Sequence, residues 1–194
     1  MSEKLGPIET SRKVFCCSSK SDEVLIDHIF SFLISLLKEN KKLKNYKEII
    51  MAQENSIFNS KDFLYLSLKD FLLYIQEFND LENYILISAI IYLERFCKLS
   101  SIILTEYNVH KLLFTSILLS IKNFEDSYYD NYYYSKIIGI ENKDLNQLEY
   151  SLLSILNFEL FITKTEYEKY KKYIYDFNNS NRKKCYNLEL SKIL

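Results

Sequence analysis

The chain predicts an all-α protein, and three observations carry that expectation. Its 194 residues include only 2 Gly and 1 Pro, whereas strands joined by tight turns draw heavily on both. Apolar residues recur at helical spacing along most of the sequence. Two stretches, Leu81–Lys98 and Val109–Asp126, are apolar on nearly every side, as helices are when other helices surround them. The second is the expected centre of the domain. Val109, Leu112, Leu113, Ile117, Ile121 and Phe124 follow one stripe, while Phe114, Leu118 and Leu119 fill the opposite side. Ser116 and Ser120 give it a small-residue face for close packing, Phe124 is assigned to the core, and Lys122 is the one charge before Glu125 and Asp126.

Composition narrows the function. A hydrophobic content of 48% supplies a core for one domain and excludes a disordered chain. With 25 basic and 26 acidic residues the formal charge is −1, without the basic excess of a nucleic-acid binder. Cys16, Cys17, Cys97 and Cys185 form no C-x-x-C pair, and His28 and His110 are far apart in sequence, so neither a zinc site nor a disulfide framework is expected. The first residues, MSEKLGPIET, lack the apolar segment of a secretory signal. The longest apolar run, Tyr84–Leu93, is too short to span a bilayer. An intracellular protein of the cytoplasm or nucleus is the expectation.

In order, residues 1–20 read as a flexible polar arm. RKVFCCSSK within it sets Cys16 and Cys17 beside basic residues, a context that also allows lipid tethering by S-acylation. Ser21 caps a helix to Asn40, with Asp22 and Glu23 in its first turn and a stripe of Leu25, Ile29, Phe32, Leu33, Leu36 and Leu37. A weaker helix runs Tyr46–Gln53, and Glu54–Lys61 connects onward. Ser67 and Asp70 make an S-x-x-D cap on a helix to Phe78, and Asp80 caps Leu81–Lys98. Thr105 caps the central helix. Asn131–Ile138 forms a short helix ended by Gly139. Asn142 caps Lys143–Phe158, and a T-x-x-E box at Thr163 and Glu166 opens Lys164–Asn178. Residues 21–178 thus make one domain of six to eight helices, and 179–194 a polar tail.

No residue set points to catalysis. With Gly6 and Gly139 as its glycines the chain has no phosphate loop, and it lacks H-E-x-x-H or an acid cluster placed for magnesium. Cys97, in an apolar helix, reads as a small core residue. Glu94 and Arg95 read as a structural polar pair between helices. The chain is expected to be a binding protein with no cofactor or metal.

Several pieces in order then resemble the cyclin box, and most closely the P-type, single-box cyclins. IYLERF is similar to the family's Y-x-D-R-F, with Glu94 in place of Asp. LLSIKNFED is similar to its central-helix ending, and LNQLEYSLLSILNFEL to the later helix that opens with a glutamate. DSYYDNYYYSKIIGI resembles the P-type pattern of Asp, Tyr, Asn, Tyr, Lys and Gly. The proline usual before SLKDF is absent, with Asp62–Leu66 there instead. The M-R-A-I-L helix of cell-cycle cyclins is missing, so their substrate-docking groove is not carried over.

The resemblance implies a cyclin-like five-helix box around the central helix Thr105–Asp126, with an added N-terminal and an added C-terminal helix. It implies that the chain binds and activates a cyclin-dependent protein kinase. Lys122 would donate to backbone carbonyls near the kinase C-helix, and Glu149 would accept from backbone amides there while orienting Lys122. Glu125, Asp126 and Tyr128 would complete the contact. A cyclin-fold scaffold holding a non-kinase protein is the alternative.

Overall fold

The structure, a computed structural model, describes residues 20–60, 67–79 and 81–179, with side chains described from 24 to 177. The expected arm with Cys16 and Cys17, the caps at Ser21 and Asp80, Asp62–Leu66 and residues 180–194 lie outside this description, the Ser21 backbone excepted. Among the described residues there are eight helices and no strand: α1 Lys20–Asn40, α2 Tyr46–Gln53, α3 Leu68–Asn79, α4 Asn83–Ser100, α5 Val109–Phe124, α6 Asn131–Ile138, α7 Asn142–Ile155 and α8 Lys164–Asn179.

Helix α5 is the centre of the bundle. Twelve of its 16 residues are buried, and between the part-buried Lys111 and Lys122 no face is left for water. It packs most extensively on α4, itself buried over most of its length, and then on α7. The small-residue face is used inside: Ser116 and Ser120 are fully buried, and Ser120 Oγ donates to the Ser116 carbonyl at 3.0 Å. The added helices α1 and α8 pack on each other, with Phe32 set edge-on to Tyr173 and Phe177. Helix α3 lies against α1, and Phe71 reaches α5 through an edge contact with His110.

Side-chain caps account for three of the eight helix starts among the described residues. Ser67 Oγ accepts from the Asp70 amide at 3.2 Å and donates to its carboxylate at 2.6 Å. Thr163 Oγ1 accepts from the Glu166 amide at 3.1 Å, yet the Glu166 carboxylate turns outward to Arg95, 2.7 Å away, instead of closing the box. Asp130 caps α6 by accepting from Tyr133 at 2.9 Å, and Gly139 ends it at φ 71°. That left-handed conformation is where glycine costs least.

Several boundaries differ from expectation: α1 already includes Lys20 and Ser21, so Ser21 is not its N-cap, α4 runs on to Ser100, and α5 ends at Phe124 rather than Asp126. Helix α4 starts at Asn83 rather than Leu81. Thr105 does not cap α5. Its carbonyl accepts from Val109, while its amide donates to Asn108 Oδ1 at 2.8 Å, which folds residues 105–108 into a turn ahead of the helix with Asn108 at the N-cap. Asn142 is the first residue of α7 and Glu141 its N-cap. That helix stops at Ile155 because Asn157 and Phe158 take left-handed φ values of 52° and 58°.

Glu94 and Arg95 both tie α4 to the C-terminal part of the chain. Glu94 is fully buried, accepts from the Tyr170 hydroxyl and pairs with Lys98 at 2.8 Å. Arg95 pairs with Glu166 and donates to the carbonyls of Glu159 and Phe161 at 3.2 and 3.0 Å. No helix among the described residues is long and apolar enough to cross a membrane.

Candidate functional site

Lys122 emerges in the last turn of α5, where the buried surface gives out. Its ammonium lies 2.6 Å from Glu149 Oε1, a carboxylate brought from α7, 27 residues away. The side chains are 23% and 15% exposed, so the pair is partly desolvated yet open to an incoming group. Such a pair is stronger than one in bulk water without carrying the full penalty of a sealed charge.

A third helix contributes. Asn131, first residue of α6, donates from Nδ2 to Glu149 Oε2 at 2.6 Å and to Asn146 Oδ1 at 2.7 Å. Both carboxylate oxygens of Glu149 are therefore held, one from α5 and one from α6. Next to Lys122, Asn123 Nδ2 donates to the Tyr92 hydroxyl at 3.1 Å, and that hydroxyl donates to the Leu160 carbonyl at 2.7 Å. Burial raises the Tyr92 hydroxyl to about 12, so it stays a donor. This relay ties the chain after α7 to the end of α5.

The remaining expected contact residues line the exit from α5 but do not join the pair. Glu125 accepts from the Tyr84 hydroxyl at 2.6 Å. That bond, then burial, raises Tyr84 to about 12. Asp126 and Tyr128 are exposed in the segment between α5 and α6. Phe124 corrects the core assignment: it is 41% exposed, its ring 6.1 Å from Tyr84.

Three features of the structure were not legible in the sequence. Asn131 sits 18 residues from Glu149, and no local spacing announces their bond. Tyr92 lies in an apolar run where its hydroxyl has no marker. Phe158, expected to close α7, is instead 62% exposed, with Phe161 at 81% beside it in sequence. Around α6, Tyr129 stacks on Tyr133 at 4.0 Å, and Lys136 stands 5.0 Å over the Tyr132 ring.

The comparisons with known proteins bear on this arrangement. The cyclin family model matches residues 23–160, a stretch that contains Lys122, Glu149 and Asn131 and stops ahead of α8. The chain is 29% identical to Cyclin-U4-1 of Arabidopsis thaliana over 153 residues, covering 77% of this chain and 76% of that protein. It is 28% identical to Cyclin-P3-1 of Oryza sativa subsp. japonica over 130 residues, 67% of this chain and 54% of that protein. It is also 28% identical over 134 residues to PHO85 cyclin-7 of Saccharomyces cerevisiae, 63% of this chain and 47% of that protein. The aligned part spans about half the length of these last two. A family match over most of the sequence, relatives that include P-type cyclins, and an all-helical bundle built around one buried helix agree, and the chain belongs to the cyclin family.

Proposed function

We propose that this cyclin binds a cyclin-dependent protein kinase catalytic subunit and activates it through the face at the end of α5. The observation that carries the reading is the Lys122–Glu149 pair, 2.6 Å apart on two helices and partly open to solvent. A lysine ammonium has three hydrogens, and Glu149 takes one. The others are suited to backbone carbonyls of a partner segment, while the free lone pairs of Glu149 suit backbone amides. Recognition of main-chain groups fits a helix end or a turn of the partner, as the kinase C-helix provides.

A kinase alone leaves that helix swung out, with its internal Lys–Glu pair unassembled. Binding at this face favours the inward state, and the interaction free energy must exceed the cost of the shift. Two further observations support a docking role. Asn157 and Phe158 hold left-handed backbones, each at a cost of ~1–2 kcal/mol, and the result is an exposed Phe158 ring. Glu125, Asp126 and Tyr128 border the same end of α5, with Tyr enriched at interfaces generally.

The test is reconstitution. The purified chain should have no kinase activity of its own and should raise that of the catalytic subunit that co-purifies with it. Lys122→Glu should abolish this while leaving helix content intact, with a lower melting temperature from the like charge set against Glu149. Truncation to Ala should cost ~2–4 kcal/mol of binding, the range of an interface hot spot. Full activation by Lys122→Glu rejects the assigned interface, and consistent recovery of a non-kinase protein instead would favour the scaffold alternative.

A further inference from the structure

We infer that Asn131 is a positioning residue for the Lys122–Glu149 pair, fixing the Glu149 carboxylate so that the Lys122 ammonium keeps two hydrogens for a partner. The inference rests on the kinase-binding reading and deepens it. Asn131 is placed by the frame of α6: the Asp130 cap at its start, buried Tyr134 and Ile137 on its inner side, and a hydrogen bond of 3.0 Å from the Tyr74 hydroxyl to the Ile137 carbonyl. From that position both hydrogens of Nδ2 are spent on α7, on Asn146 and Glu149, which lie three residues apart on one helix face.

The chemistry of the amide explains the choice. Glu149 has Oε1 on Lys122 and Oε2 on Asn131. A carboxylate tied at one oxygen only could rotate and meet the ammonium with both. It would then take two of the three lysine hydrogens. Holding Oε2 from a third helix prevents that. The amide orientation is settled by its neighbours, since reversing it would set Oδ1 against two acceptors. The same orientation leaves Asn131 Oδ1 buried without a donor, an arrangement that costs stability.

The experiment measures affinity for the kinase catalytic subunit recovered with the wild-type chain, alongside melting of each variant. Asn131→Leu, which deletes both donated bonds, should weaken binding about tenfold, by more than its fall in melting temperature accounts for. Asn131→Asp, of equal size but facing Glu149 with like charge, should weaken it further. The exchange Asn131→Asp with Glu149→Gln restores a donor facing an acceptor and should recover most of that added loss. Without kinase, side-chain nitrogen relaxation of Lys122 should report an ordered ammonium in wild type and a mobile one in Asn131→Leu. Binding within twofold of wild type for both single variants, where Lys122→Glu does not bind, overturns the inference and leaves the kinase reading intact. So does a loss of binding matched by a fall in melting and unrelieved by the exchange. Where Lys122→Glu binds as wild type or no kinase is recovered, the kinase reading fails, and an equally ordered Lys122 in Asn131→Leu then removes the positioning role as well.

Discussion

The carboxylate of Glu94 and the hydroxyl of Tyr170 meet inside the bundle, and their hydrogen bond joins the longest buried stretch of α4 to the C-terminal helix α8. Burial first, then the bond to Glu94, raises the tyrosine well above its ordinary range, so the phenol is the donor. Tyr170→Phe keeps the ring packed and deprives a buried anion of one partner. It should cost ~1–3 kcal/mol, read as a lower urea midpoint with an unchanged slope.

Ser116 offers an opposite case. Its hydroxyl oxygen is buried with no hydrogen-bond partner, although the small side chain is needed for space. Ser116→Ala should leave stability equal or higher, because the orphan group disappears with little change of volume. Ser116→Leu should destabilise by ~1–3 kcal/mol through overpacking. Melting of the two variants in parallel separates the roles of size and polarity.

A pH dependence follows from His110, 6% exposed against Phe71. Burial lowers its pKa from 6.5 to about 4. Below pH 6.5 the unfolded chain takes up a proton that the folded chain refuses, so stability falls as pH drops from 6.5 toward 4. The loss attributable to this residue is on the order of 3 kcal/mol at most, at 1.36 kcal/mol per unit. His110→Leu should flatten the melting profile between pH 6.5 and 5, above the range where carboxylates dominate.

Cys97 should be inert. Burial first and the Glu94 charge second push its thiol up to about 12, and thiolate is the reactive form. In a variant with Cys16, Cys17 and Cys185 changed to Ser, iodoacetamide at pH 8 should leave the native protein unlabelled. Complete labelling in denaturant would show the thiol itself to be intact.

Much of this architecture was legible because helical signals are local. The all-round apolar character of α4 and α5 announced their place at the centre, and Ser67, Thr163 and Gly139 marked helix ends by chemistry acting within a turn. What escaped depended on partners distant in sequence. Phe124 sits at the spacing of the α5 stripe yet is exposed, because its cover depends on which elements pack around the end of α5. The α5 cap moved to Asn108 because its side chain folds the preceding turn back on Thr105. Lys122 and Glu149 entered through family likeness, since a lysine in a last turn and a glutamate on a helix are common alone. Asn131 stands in the P-type-like stretch DSYYDNYYYSKIIGI, but nothing local tied it to Glu149.

At the opposite end of α5, Lys111 donates to the carbonyls of Ile57 and Asn59 at 3.1 and 3.2 Å, and the amide of Ser60 donates to the Tyr107 carbonyl. A cation in a helix's first turn opposes the dipole, so those carbonyls must repay it. The central helix is thereby moored at its start to the upstream connector, as its finish is moored to α7 through Glu149 and to α4 through Tyr92.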